Sequence, residues 1–85
     1  MTHVLHEQEI SMLRAEIEML MNERRRLLRV AGSAAVFVAN LDTKELPPDM
    51  YESAEMLSKC LNDMSEDTLR EALEGVKAEQ VEASK

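Results

Sequence analysis

From Val4 to Leu41 apolar side chains recur at alternating intervals of three and four: Ile10, Leu13, Ile17, Leu20, Leu27, Ala31, Ala34, Val38 and Leu41, with Arg24 in the same register. Extended backward, the register reaches His6 and His3. Such spacing places one continuous stripe on a helix turning every 3.6 residues. In heptad terms Ile10, Ile17 and Val38 take position a, and Leu13, Leu20, Leu27 and Leu41 take d. β-Branched residues at a with Leu at d favour two parallel strands in a coiled coil. A helix of about 36 residues spans about 54 Å, more than the rest of the chain covers by folding back once. The expected partner of the stripe is therefore a second copy. The expected dimer interface is Ile10, Leu13, Ile17, Leu20, Arg24, Leu27, Ala31, Ala34 and Val38. Met12, Met19, Met21 and Leu28 flank the stripe and widen it beyond a two-helix seam, as in a bundle.

Gly32, among Ala31, Ser33, Ala34 and Ala35, reads two ways. It is a weak point in the helix, since Gly costs about 1 kcal/mol against Ala, or a face that a second helix approaches closely. The uninterrupted register predicts a continuous or gently bent helix. LDTKELPP then ends it, because a residue before proline is biased away from helix. Asp49 resembles an N-cap with Glu52 completing a capping box, and the helix after it turns Met50, Ala54, Leu57 and Leu61 to one side. Ser65 caps a third helix whose first turn holds Glu66 and Asp67, suited to the positive end of the helix dipole. Leu69, Ala72, Leu73 and Val76 form its apolar face. The predicted fold is all-α: one domain over 1–85 with a helix at about 4–40, a loop at 41–48, helices at about 49–62 and 65–80, and a frayed tail at 81–85, assembled as a helical-bundle homodimer.

Charge divides the chain. Residues 1–44 hold six basic and six acidic side chains, and residues 45–85 hold four and eleven, so the whole net charge of −7 belongs to the second half. Those carboxylates either solubilise a small bundle or steer it toward a basic partner. A single cysteine, Cys60, rules out an internal disulfide and suits a reducing compartment, so the expected location is the cytoplasm. Its neighbours Leu57 and Leu61 make it a semi-buried structural thiol. No apolar run approaches 18 residues, and MTHVLHEQE lacks the basic end and apolar core of a signal peptide.

The one concentrated basic feature is Arg24-Arg25-Arg26 with Arg29. As phosphate contacts these residues make a dimeric nucleic-acid-binding regulator. The acidic total, the absence of stacking aromatics and the nearby Glu16, Glu18 and Glu23 favour a salt-bridged face instead. Arg24, at a core position, is placed to reach Glu23 of a partner helix or an acidic residue of the second or third helix. His3 and His6 share a helix face, but two ligands without a third are a weak metal signal. Neither cofactor nor metal is expected. Six methionines beyond the first residue, with one Phe and one Tyr, fill a core or line an adaptable binding surface.

The segment ISMLRAEIEMLMNERRRLLRVAGSAA resembles the first helix of the all-helical chorismate mutases. Arg24 falls on that family's catalytic arginine and Gly32 on its glycine, which implies a small helical enzyme. Ala35 stands where the family has its active-site lysine, and Glu7 where it has its N-terminal arginine. The reading that best joins these observations is a small non-enzymatic regulator or adaptor that binds another protein as a dimer. Inhibition of a host protein by a phage or plasmid product is one form this binding takes. Arg25, Arg26, Arg29, Met50, Met56, Glu52 and Glu55 are the expected partner-binding residues.

Overall fold

The computed structural model describes residues 2–83, with side chains described for 3–81. Its elements are α1 (Thr2–Ala39), a 3-10 turn (Pro48–Met50), α2 (Tyr51–Asn62) and α3 (Glu66–Ala83); among the described residues there is no strand. The long N-terminal helix is unbroken through Gly32. Ala31, Ala34 and Ala35 around the glycine are the strongest helix formers, and no glycine takes a positive φ. α1 dominates a molecule measuring 68 × 34 × 21 Å.

Gly32 is where the other end of the chain docks. It is buried, and a Cβ there would lie 2.6 Å from Val76 Cγ2 and against the Ala72 carbonyl. Ala72 is 1% exposed and Val76 7%. Glycine on α1 and alanine on α3 let the two backbones approach, and α1 packs chiefly on α3 and less on α2. Leu61 of α2 completes the buried apolar set among the described residues, and Leu57 and Leu69 of the α2–α3 head and Leu28 of α1 are half-buried. The anticipated faces of α2 and α3 need two corrections: Met50 and Leu73 are exposed. Met50 belongs to the 3-10 turn rather than to α2.

The connection also differs from the expected capping box. Pro47 is extended (φ −57°, ψ 140°) and Pro48 opens the 3-10 turn, where its fixed φ and missing N–H cost nothing. Met50 N–H donates to the Pro47 carbonyl at 2.9 Å. Asp49 therefore sits inside the turn and cannot cap it, and α2 starts at Tyr51 with no side-chain cap. Ser65 does cap α3: its Oγ accepts the Thr68 N–H at 3.2 Å and meets Thr68 Oγ1 at 2.7 Å. α3 continues past the expected fraying point at 81 to Ala83. Its last turns are helix-forming Ala, Glu and Gln, and Glu79 is tied to α1. Residues 84 and 85 of the expected frayed tail lie outside the described residues.

Candidate interaction surface

The heptad stripe splits near Arg24. Beyond that point α3 covers one flank of α1, leaving Ala31, Ala34 and Val38 half-buried. Before it, no side chain from residue 3 to 23 is buried or half-buried. Ile10, Leu13, Ile17 and Leu20 stand open to solvent, Leu20 at 70% exposure. Past the crossing Leu27 (61%) stays open in the same register, and Val30 (67%) and Phe37 are exposed farther round the helix. From Ile10 to Leu27 these exposed seam positions run about 25 Å at 1.5 Å per residue. Val30 and Phe37 were not among the expected interface residues. The a/d count passes over them, and their exposure follows from α3 occupying the opposite flank.

Arg24 turns from the stripe toward α3, where Nη1 and Nη2 donate to the two Glu71 carboxylate oxygens at 2.9 and 3.0 Å. The hydrogen bond and charge of Glu71 raise the Arg24 pKa, and the Arg24 hydrogen bond lowers that of Glu71. Of the two destinations open to Arg24, the intrachain one on the third helix is filled. Arg29 pairs with Glu79, also on α3. Arg26 meets Glu23 one turn back at 3.5 Å, and Arg25 donates to Asn22 Oδ1 at 2.8 Å. Three of the four guanidinium groups are thus matched by carboxylates of the same chain.

The other candidate residues fall into separate places. Arg25 and Arg29 line a shallow concavity between α1 and α3 floored by Leu28, Ala72, Gly75 and Ala78. Arg26 and Arg29 border a second one beside Val30 and Ser33. On α2, Glu52 and Met56 line a groove with Asp49, Leu57 and Cys60, an apolar floor with an acidic rim. Met50 and Glu55 are exposed outside that groove. Cys60 is itself exposed, which corrects the expected semi-buried thiol: α2 turns Leu57 and Leu61 inward, and Cys60 lies beyond the edge of that face. His3, His6 and Glu9 share one face of the α1 tip. Among the described residues no group of three or more His, Cys, Asp or Glu side chains is arranged to hold a metal ion. No described helix is long and apolar enough to cross a membrane.

Comparison with models of protein families, with curated proteins and with solved structures finds no match to this chain.

Proposed function

We propose that this chain is a small non-catalytic protein-binding regulator or adaptor that works as a homodimer. α1 supplies the dimer seam, and the head formed by α2 and α3 supplies the surface offered to another protein. The observation that carries the reading is the row of uncovered seam positions Ile10, Leu13, Ile17, Leu20 and Leu27, because clustered exposed apolar surface of this kind marks an association site.

Area supports a second copy as its occupant. The chain exposes 7573 Å², whereas a compact 9.7 kDa chain exposes about 5,100 Å². The excess, about 2,400 Å² per chain, lies within what obligate homodimers bury on each partner. Protein rather than nucleic acid is the favoured further partner, since the cluster Arg24 to Arg29 is largely neutralised within the chain. The acidic, Met-lined groove of α2 suits a basic segment of a partner protein. The same ion pair bears on the helical-enzyme reading, since Arg24 is engaged by Glu71 rather than free to bind a substrate anion.

Sedimentation equilibrium at micromolar concentration tests the dimer. The wild type is expected at twice the chain mass, and Leu20→Asp, which places a charge in the seam, at the monomer mass with the head still helical. A wild-type monomer throughout that range overturns the proposal.

A further inference from the structure

Charges beside the stripe carry the dimer reading further, to its strand direction. In the register of Ile10, Leu13, Ile17 and Leu20, the positions flanking the seam on one side are Glu9, Glu16 and Glu23 (position g), and on the other Arg14, Met21 and Leu28 (position e). When two such helices run parallel, each g residue faces the e residue five positions on in its partner. Glu9 then faces Arg14 of the other copy, twice by symmetry. Running antiparallel, the g rows face each other and bring glutamates together. Neither Glu9 nor Arg14 has an ion-pair partner among the described residues, so both are free to pair across the seam.

A parallel pair stacks identical residues at a and d, which puts Arg24 opposite Arg24. This like-charge layer is the obstacle to the arrangement, and the fold removes it. Glu71 of the same chain holds both ends of each guanidinium and draws it toward α3, off the seam. Ile10, Leu13, Ile17 and Leu20 then meet their own copies with no buried charge between them.

We infer that two copies pair through α1 in parallel and in register, with Glu9 of each bonded to Arg14 of the other and Arg24 neutralised by its own Glu71. The inference rests on the homodimer reading above. Its consequence is that both heads lie at the same end, so the acidic α2 groove is presented twice to one partner or to a repeated motif.

Two measurements test it, both made beside the mass of the unmodified chain. In a Cys60→Ser background, Leu13→Cys is expected to oxidise to a covalent dimer in a glutathione buffer, because identical d residues adjoin only in the parallel register. A reduced variant that sediments as a dimer yet fails to cross-link overturns the parallel arrangement and leaves the dimer standing. A wild-type monomer overturns both, and a trimer or tetramer overturns the two-strand form. Because Leu13→Cys trims the seam, charge exchange supplies a second reading. Glu9→Arg and Arg14→Glu are each expected to weaken self-association about tenfold at low salt. An equimolar mixture of the two is expected to form the heterodimer preferentially, since both cross-strand pairs are restored in it. Absence of that preference overturns the pairing.

Discussion

Arg24 of α1 and Glu71 of α3 form a two-pronged ion pair, 2.9 and 3.0 Å, between segments 47 residues apart in sequence. It sits at the junction where α1 passes from solvent-exposed arm to packed helix. Arg29 to Glu79 adds a second tie. On α3 the residues that meet Gly32, Ala72 and Val76, lie between Glu71 and Glu79, so apolar close approach and paired charge locate α3 on α1 together.

The first pair makes stability pH-dependent in a definite direction. Hydrogen bonding from Arg24 holds the Glu71 carboxyl below its ordinary value. A group lowered in the folded state stabilises the fold above its unfolded pKa and loses that contribution as pH falls through the folded value. Glu71→Gln is therefore expected to melt at a lower temperature than wild type at pH 7. The gap closes as pH drops below about 4, the ordinary carboxylate range. Circular dichroism melts of both chains across that range read the difference; a gap independent of pH would sink the assignment.

The two glycines predict opposite outcomes for the same substitution. At Gly32 a methyl group meets Ala72 backbone and Val76, so Gly32→Ala must push α3 away. Overpacking of this kind costs about 1–3 kcal/mol, more than the gain in helix propensity of about 1 kcal/mol. Gly75 has nothing within 4 Å of an added Cβ, so Gly75→Ala realises the gain alone. Thermal midpoints are expected to fall for the first and to rise by roughly 4–8 °C for the second. A rise for Gly32→Ala would mean that α3 is not seated there.

Cys60 is exposed in the native fold. A thiol reagent is expected to label it in buffer at close to the rate seen in denaturant, with helicity retained. Strong protection in buffer would show a covering surface, and comparing protection at high and low protein concentration would show whether association supplies it.

Much of the architecture was legible because it depends on short-range chemistry. The period of the apolar stripe, the two prolines and the Ser65 cap are local signals, and each left its mark in the chain order. What depended on distance was not. Gly32 admitted a weak point or a docking face, and the choice required Ala72 and Val76 to be brought beside it. Arg24 had several acidic groups within conceivable reach, and only the path of α3 selects Glu71. Val30 and Phe37 lie outside the a/d count, and their place on the open side depends on which flank α3 occupies. Asp49 failed as a cap because Pro48 draws the chain into a turn one step early, a competition between two local signals that residue preferences alone do not rank.

The uncovered arm of α1 makes concentration a structural variable. Residues 3–23 are all exposed, and in a protein most of a helix's stability comes from packing of its apolar face. In the homodimer proposed above, association is what keeps this segment ordered, so the folded fraction follows the amount of chain present. A scarce chain offers a loosened, protease-accessible arm, while an abundant one conceals it. Production rate would then govern lifetime as well as quantity, and the response of such a regulator to its own synthesis would be steeper than proportional.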